Sequence, residues 1–447
     1  MVRAATAVRQ APRPDTLGIR GQPKASQARW TAPVLGIVAA ALAWTRVSAG
    51  QNDKLYAEDG TLFVRDWMLG GHLSLMWQPY AGYLHVIPRG VGWFVTAVVP
   101  VAWWGYAVSV IACGLVGAVA ALVFLYSADI VAYYPARIAL GLITVLIPIA
   151  GIEPLGNLAN VHWFLLYLMP WLLMATPRSR PGLIVATALA LVATLTEPQC
   201  LIFAPLALWR FLTAPAVRPV QLGWAVGIAG QAVSYLISPR PHIPGRPPVM
   251  SILDGYVLNV GLPIITSRAH LFGATLVRWG WWIGFAWLAG LLAFAGVGFL
   301  FARTPARVML VALVLGSAAS WGLSYVVNNV ADLYYSLWTA DRLADPTLMR
   351  WGTAASMMLA ATIPITVGVL VERFPTWWPA ATAALTLFVG VMAADLTHRV
   401  PVDGSTWSSQ ISAAQPACSQ APDSNIILHI QPYPEWVLDM PCSLIEG

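Results

Sequence analysis

Leu55-Tyr56-Ala57-Glu58-Asp59-Gly60-Thr61-Leu62-Phe63-Val64-Arg65-Asp66-Trp67 follows the first long apolar segment of the chain almost directly. This stretch carries three carboxylates and one arginine within nine residues, although Asp, Glu, Lys and Arg make up only 10% of the whole chain. Charge is costly wherever lipid is the solvent, so a cluster at a membrane boundary indicates a function. The segments on either side decide whether the stretch lies at such a boundary.

The rest of the chain has the composition of a membrane protein. Hydrophobic residues make up 58% of it, and its mean hydropathy is +0.68. Apolar runs of about 15 to 24 residues recur between Pro, Gly and charged residues, as expected of membrane-spanning helices. The runs lack the short alternation of a barrel, so the sequence predicts an all-α polytopic membrane protein. The net charge of +6 gives no reason to expect a nucleic-acid partner.

The basic amino terminus sets the expected orientation. Residues 1–30 are rich in Pro, Ala and Gln and carry several Arg and Lys residues, which predicts a disordered cytoplasmic tail. Residues 31–396 are predicted to form the membrane domain, with about 11 spanning helices. The predicted spans are 32–47, 106–126, 138–152, 161–174, 183–195, 200–212, 222–237, 279–301, 308–325, 352–371 and 379–394.

Residues 86–104 are apolar but contain Pro88, Arg89 and Pro100. We interpret them as a juxtamembrane or re-entrant element beneath the first outer loop. If they formed a full span, every later loop would invert, and the basic turns at 177–180 and 302–307 would face outward. The preference of cytoplasmic loops for Lys and Arg argues against that arrangement.

This topology places most of the polar mass outside the cell. The first extracytoplasmic loop covers 48–87, two further loops cover 238–278 and 326–351, and an extracytoplasmic tail covers 397–447. Cys418 and Cys442 lie in this exported tail, where an oxidising compartment favours a disulfide. Cys113 and Cys200 lie in apolar runs and are expected to be packing residues. The protein is accordingly expected in the cell membrane.

Glu58 and Asp59 are the first candidates for chemistry. Neighbouring residues cannot aim at one point from a helix or a strand, so one should react and the other should position it. A carboxyl desolvated among Tyr56, Phe63 and Trp67 can act as a general base, and we expect Asp59 to be that base. Alternatively, the pair solvates a loop or caps a helix beginning near Gly60.

Further polar residues lie at the outer ends of the predicted spans. Aromatic side chains and hydrogen-bonding groups there could bind a substrate, or could equally be interfacial anchors and caps. The expected substrate-binding residues are Tyr80, Tyr83, Glu153, Asn157, His162 and Glu197. Cationic side chains could hold a phosphate group. The expected phosphate-binding residues are His85, Arg89, Arg268 and Arg350. No Cys/His metal spacing is present, so we expect neither a metal site nor a cofactor, although carboxylates from several loops could bind a divalent ion.

The run Ala57-Glu58-Asp59-Gly60, followed by Pro79-Tyr80-Ala81-Gly82-Tyr83-Leu84-His85 and Pro88-Arg89, resembles bacterial, especially actinobacterial, integral membrane proteins of the GT-C superfamily of glycosyltransferases. The likeness in architecture covers roughly residues 30–400. It implies transfer of a sugar from a polyprenyl-phosphate donor to a cell-envelope glycan or glycolipid acceptor on the extracytoplasmic face, with inversion at the anomeric carbon. It also implies that the catalytic carboxylate of the first outer loop maps onto Asp59 or Glu58.

Two other classes of function fit parts of the sequence. A transporter or flippase for a lipid-linked substrate also needs charge and a cavity, but it predicts ionisable residues near the middle of the spans. Here the charges lie at the outer ends of the spans. A non-catalytic protein of envelope assembly would need no reactive carboxylate at all. Substitution of Asp59 and Glu58 distinguishes these classes from an enzyme.

Overall fold

The computed structural model describes residues 25–47, 50–241, 245–398 and 403–446. Residues 1–24 of the amino-terminal tail expected over 1–30 lie outside the described residues. The first helix begins at Ala25, within the range that was expected to be disordered. The helices are α1 (Ala25–Arg46), α2 (Arg65–Met68), α3 (Val86–Val98), α4 (Trp104–Tyr126), α5 (Tyr134–Leu146), α6 (Val161–Met174), α7 (Arg180–Thr194), α8 (Ala204–Thr213), α9 (Arg218–Ile237), α10 (Val249–Tyr256), α11 (Ala269–Trp279), α12 (Trp282–Phe301), α13 (Thr304–Val327), α14 (Ala340–Ala344), α15 (Gly352–Arg373), α16 (Trp378–Ala393), α17 (Trp407–Gln420) and α18 (Ser443–Glu446).

The chain is a predominantly helical, multi-pass membrane protein. Within the described residues, seven helical segments are long and apolar enough to cross a membrane. They are Val101–Asp129, Tyr134–Gly151, Pro215–Ile237, Trp282–Phe301, Thr304–Val327, Gly352–Arg373 and Pro375–Ala393. Shorter apolar helices accompany them, and α6 among these is buried along its whole length. Most residues of the longer helix α15 are buried as well.

The element predicted at 86–104 is a short helix followed by a break. Helix α3 ends at Val98, and Pro100 precedes a single 3₁₀ turn, Val101–Trp103, before α4 begins. Proline cannot donate the backbone hydrogen bond that a continuous helix needs, so the chain changes direction there. A side chain at Gly92 would collide with the carbonyl of Phe63. Helix α3 therefore packs directly against the π-helix Asp59–Val64 of the charged stretch.

One region expected to be a loop contains two helices. The predicted outer loop 238–278 includes α10, which continues through a π-helical turn to Ile264, and then α11. Asn259 lies in that turn, where it is buried and its carboxamide donates to the carbonyl of Gly255. Proline-rich composition concealed these helices, because Pro248 directly precedes α10 and Pro263 occupies the first turn of the next element, positions that helices accept.

The carboxyl-terminal residues 403–446, called here the C-terminal unit, fold onto the first loop. The unit consists of α17, the antiparallel strands β1 (Asn425–His429) and β2 (Val437–Pro441), and α18. Ile427 pairs with Asp439 in the register of the hairpin. A disulfide joins Cys418 and Cys442. The strands depart from the all-helical expectation.

One apolar core is shared by the C-terminal unit, the first loop and the start of α4. Leu55 and Phe63 from the loop pack with Trp104 of α4 and with Trp407 and Ile430 of the C-terminal unit. Asp53 accepts hydrogen bonds from the backbone and hydroxyl of Ser408 in the first turn of α17. A negative side chain is favourable at that end of a helix. The predicted tail therefore packs onto the first loop and the start of α4 and shares their core.

A buried arginine connects the end of α1 to the end of α5. The guanidinium of Arg46, at the end of α1, donates to the carbonyls of Val145, Ile147 and Pro148 where α5 ends. The last carbonyls of a helix have no N–H partner within it, and Arg46 supplies donors where α5 stops. The carbonyl of Ile147 also accepts the N–H of Ala150. The charge is thus satisfied by backbone dipoles, and the turn over 153–160 is held above α1.

We expect loss of the disulfide to loosen the C-terminal unit. The two cysteines are separated by 24 residues, and closing such a loop stabilises a fold by about 3 kcal/mol in the chain-entropy model. Reductant should therefore speed proteolysis of residues 403–446 while the membrane helices stay intact, as measured by limited proteolysis. The double variant Cys418→Ser/Cys442→Ser should be cleaved rapidly with or without reductant. Equal cleavage of oxidised and reduced wild type would contradict the expectation.

Candidate active site

A cavity of about 680 Å³ lies where the outer ends of several helices meet the first loop. Its walls come from the first loop, the start of α6, the 3₁₀ segment Pro198–Phe203, the outer parts of α9 and α13, and the residues before α15. The charged and polar side chains that line it are Glu58, Tyr80, Tyr83, His85, Asn160, His162, Glu197, Gln199, Gln231, Tyr235, Arg240, Ser324, Asn328 and Arg350. Many of the polar residues that the sequence places in three separate loops therefore line one cavity.

Glu58 reaches the cavity because the backbone just before it is bent. Ala57 has a φ of 39°, in the left-handed region that residues with a side chain rarely adopt. Its carbonyl accepts the backbone N–H groups of Gly60 and Thr61 at 3.2 and 3.1 Å, which starts the π-helix immediately after the bend. Glu58 is the residue that directly precedes this helix, and its half-buried side chain lines the cavity.

Asp59 points the other way. Its side chain is fully buried and accepts the backbone N–H groups of Leu158 and Ala159, with Oδ2 and Oδ1 at 3.0 and 2.8 Å. Burial raises the pKa of this carboxyl to about 8, against the lowering effect of those two hydrogen bonds. Asp59 is not among the residues that line the cavity. The geometry favours Glu58 as the reactive carboxylate and Asp59 as its positioner, the reverse of our expectation.

Tyr80 and Tyr83 are joined by a tight turn. Each donates its backbone N–H to the carbonyl of the other, and the two residues between them, Ala81 and Gly82, have φ of 50° and 88°. Positive φ at both central positions is the geometry of a type I′ turn. The ring of His85 lies 4.0 Å from that of Tyr83, between centroids. The turn therefore presents two phenols and an imidazole to the cavity as one aromatic wall.

His85 does not have the character of an anion-binding group. Burial, together with the neighbouring His162 and Arg89, lowers the pKa of its imidazole to about 3, against the raising effect of the carbonyl of Tyr80. The ring is consequently neutral, and Nε2 lies 3.3 Å from the carbonyl of Tyr80. His85 braces the aromatic wall and supplies no positive charge to a phosphate.

Glu153 and Arg350 form an ion pair beside Glu58. Arg350 lines the cavity, whereas Glu153 lies behind it and also takes part in a hydrogen bond with the phenol of Tyr56. The adjacent carboxylates Glu153 and Glu58 raise the pKa of Arg350, against the effect of its burial. Arg350 thus stays positively charged within reach of whatever occupies the cavity near Glu58.

Asn157 braces the turn above Asp59. Its carboxamide oxygen accepts the backbone and side-chain N–H groups of Asn160 at 3.0 and 2.9 Å, and its nitrogen donates to the carbonyl of Glu153. Asn160, and not Asn157, lines the cavity. The side chain that lines the cavity is therefore that of Asn160, three residues after the expected Asn157.

His162 and Glu197 form a pair on the far side of the cavity. Nδ1 of His162 contacts one carboxylate oxygen of Glu197, and the other oxygen accepts the backbone N–H of Gln199 at 2.6 Å. The carboxamide of Gln199 in turn donates to the hydroxyl of Ser324 on α13. The pair unites two expected substrate-binding residues and ties α6 to α13.

Two of the expected phosphate-binding arginines lie away from the cavity. Arg89 is fully buried and pairs with Asp66, with 3.0 Å between Nη1 and Oδ2, so its charge is neutralised within the first loop. Arg268 is exposed at the start of α11. Neither lines the cavity, and the structure brings neither to Glu58.

Arg240 and Asn328 line the cavity and were not among the expected site residues. Arg240 follows the outer end of α9, and its guanidinium donates to the carboxamide oxygen of Asn328 beyond the end of α13 at 2.7 Å. Among the described residues Arg240 forms no ion pair with a carboxylate, in contrast to Arg350. Arg240 follows an apolar span whereas Arg350 precedes one, and its place at a span end could have been noticed in the sequence.

The remaining wall of the cavity is apolar and lies at the lateral surface of the helix bundle. It is formed by Leu201, Ile202, Ile228, Ala232, Tyr235, Leu323 and Val327. Tyr235 on α9 and Leu323 and Val327 on α13 are about half-exposed on the surface of the bundle. Since α9 and α13 both belong to segments able to cross a membrane, this side of the cavity opens towards lipid.

In comparisons with known proteins, no family model, no curated protein and no solved structure matches the chain. The fold and the cavity therefore have to be interpreted from their own chemistry. Among the residues that the structure describes, no group of three or more His, Cys, Asp or Glu side chains is arranged to hold a metal ion.

The buried carboxyl of Asp59 should make stability depend on pH. Its pKa rises from 3.8 to about 8 on folding, so between these values the folded protein keeps a proton that the unfolded chain releases. Its stabilising effect is full below about pH 4 and is lost as the pH rises to about 8. Thermal unfolding between about pH 5 and pH 8.5 should show this decline, and Asp59→Asn should flatten it.

Asp423→Asn is the matched control for this measurement, because it removes an exposed carboxyl of the C-terminal unit. It should leave the wild-type pH dependence unchanged. An Asp59→Asn protein with the same slope as wild type would mean that Asp59 is ionised in the folded state throughout this range.

Proposed function

We propose that this protein is a membrane glycosyltransferase of the GT-C type that transfers a sugar from a polyprenyl-phosphate donor to an envelope glycan or glycolipid. One observation carries the proposal: a single cavity combines a carboxylate, two arginines and an aromatic wall with an apolar side that opens between α9 and α13 towards lipid. A substrate with a polar head and a long hydrocarbon tail matches such a cavity. A wholly soluble substrate leaves its apolar side unexplained.

In this proposal Glu58 is the general base. Its carboxylate takes the proton of the acceptor hydroxyl as the oxygen forms a bond to the anomeric carbon. The bond from that carbon to the phosphate oxygen breaks on the opposite face of the sugar, and its electron pair leaves with the phosphate. The configuration at the anomeric carbon is therefore inverted. The proton moves from acceptor to Glu58, and no covalent intermediate with the protein forms.

The two arginines would stabilise the departing phosphate. Arg240 and Arg350 both line the cavity, and cationic groups placed in a partly water-excluded site act strongly on charge that develops during a reaction. Arg240 is the better phosphate ligand of the two because no carboxylate among the described residues neutralises it. The tail of the donor would then run from Arg240 along Tyr235, Leu323 and Val327. Tyr80 and Tyr83 provide rings against which a sugar can pack.

We also propose the orientation of the chain in the cell membrane. The amino terminus is cytoplasmic, the cavity and the C-terminal unit are extracytoplasmic, and shorter apolar helices such as α6 and α7 raise the number of membrane segments to about 11. The disulfide of the C-terminal unit supports this orientation, since such bonds persist outside the cytoplasm.

Replacement of Glu58 tests the proposal directly. With purified protein in nanodiscs and a panel of polyprenyl-phosphate sugars, Glu58→Gln should lower kcat at least about 100-fold, because a general base contributes that much or more. Asp59→Asn should retain more than about a tenth of the wild-type kcat, because that residue only holds the loop. Thermal unfolding of both variants in nanodiscs separates a catalytic loss from misfolding.

The two substitutions also separate the alternatives. Turnover that survives Glu58→Gln but not Asp59→Asn would return the role of base to Asp59. Wild-type protein that moves a fluorescent polyprenyl-phosphate lipid across the bilayer, but transfers no sugar to any acceptor, would replace the enzyme with a flippase.

Arg240→Gln should weaken donor binding. Loss of a charged hydrogen-bond donor to a phosphate costs about 1.5–3 kcal/mol, so the KM for the donor should rise at least about tenfold with a smaller change in kcat. Arg240→Lys keeps the charge without the fork of N–H groups and should be intermediate. Arg246→Gln is the matched control, because Arg246 is exposed on the same loop and does not line the cavity. Equal KM values for the Arg240 and Arg246 variants would remove Arg240 from the donor site.

A further inference from the structure

The C-terminal unit pairs with the backbone on both sides of Tyr56. The N–H of Gln431 donates to the carbonyl of Leu55 at 2.9 Å, and its carbonyl accepts the N–H of Ala57 at 2.5 Å. These two bonds form a short parallel bridge between Tyr56 and Gln431. Residues almost at the end of the chain thus hold the segment that immediately precedes Glu58.

The side chains around this bridge reinforce it. Ile430 packs so closely on Gly60 that a Cβ added there would lie 2.7 Å from its Cδ1. The carboxamide of Gln431 and the ammonium of Lys54 both donate to the carbonyl of Asp403, at 2.7 and 2.5 Å. The C-terminal unit therefore contacts the first loop before and after Glu58, while Glu58 itself faces the cavity.

The backbone that is held in this way is strained. Ala57 has a positive φ, which costs a residue with a side chain about 1 kcal/mol or more. Such a conformation persists only where the surrounding structure enforces it. The N–H of Ala57 is itself one of the groups bound by Gln431. The bond from the N–H of Ala57 to the carbonyl of Gln431 opposes a return to an ordinary conformation, which would turn Glu58 away from the cavity.

We propose that the C-terminal unit is a positioning element of the active site, with Gln431 and Ile430 holding Ala57 in the conformation that directs Glu58 into the cavity. The inference rests on the proposed role of Glu58 as the base. Gln431 and Ile430 touch neither the cavity nor a substrate, and they act through the backbone of residues 55–60. A protein without this unit would keep its membrane helices and lose its catalytic geometry.

Two glutamines of the C-terminal unit make a matched test. Gln431→Ala leaves the backbone bridge in place but removes the side-chain bond to the carbonyl of Asp403, which also accepts the ammonium of Lys54 from the first loop. Gln410→Ala removes bonds to Ser405 and His429, neither of which is bonded to the first loop by these contacts. Hydrogen exchange of the peptide covering 55–61 is measured without substrate, together with kcat and KM for the donor. In Gln431→Ala the exchange should quicken about tenfold and kcat should fall about tenfold with KM within about twofold. Gln410→Ala should match wild type in all three.

A second pair of variants tests the packing from the opposite side. Gly60→Ala forces its new methyl group against Cδ1 of Ile430, so it should also speed exchange over 55–61 and lower kcat. Ile430→Val removes Cδ1, and the double variant should recover most of the wild-type kcat. Recovery across such a distance in sequence is not expected of two independent losses of stability.

These outcomes are distinguishable from a failure of the proposed function. If wild type transfers no sugar, the exchange measurements still report whether the C-terminal unit holds residues 55–61. If wild type is active and depends on Glu58, but neither Gln431→Ala nor Gly60→Ala changes exchange or kcat, the positioning role is overturned. Accelerated exchange with unchanged kcat also overturns it, because the loop would then be held for stability alone.

Discussion

The outer half of the protein depends on one buried carboxylate. Asp59 accepts the backbone N–H groups of Leu158 and Ala159, and so it joins the first loop to the turn before α6. Burying a carboxyl without hydrogen-bond partners is strongly unfavourable. A buried carboxyl therefore favours the one position in which its partners are present. The pairing therefore fixes where the first loop sits, and with it the place of Glu58 opposite Asn160 and His162.

The adjacency of Glu58 and Asp59 predicted a division of roles but not its direction. Consecutive side chains must diverge, and in the structure one enters the cavity while the other enters the core. The chain is bent at Ala57, just before the pair, and the N–H of Ala57 donates to the carbonyl of Gln431 in the C-terminal unit. A contact across some 370 residues of sequence leaves no local pattern, so the choice between the two acids needed the tertiary structure.

The positions of the helices were more predictable from the sequence than the partners of the charged side chains. The apolar run that predicted a span at 161–174 coincides with α6, because a long continuous run has few other stable conformations in lipid. The partners of the arginines were harder to predict, since each arginine lies at the end of an apolar segment and their sequence surroundings are alike. Arg89 is neutralised by Asp66 and Arg350 is paired with Glu153, whereas Arg240 keeps its charge towards the cavity. Charge at a span end is visible in the sequence, but its partner is not.

The position of the cavity at the outer end of the helices has a chemical consequence. Its polar side is built from elements that three distant parts of the chain hold in place, so its charges need little rearrangement when a substrate enters. Its apolar side between α9 and α13 lowers the polarity around Glu58 and Arg240, which strengthens the effect of each charge on a nearby reacting group. A site deeper in the membrane would exclude a hydrophilic acceptor, and one farther out would lose the lipid-facing wall. For the proposed glycosyltransferase, the membrane boundary would be the depth at which a lipid-linked donor and a glycan acceptor can both reach Glu58.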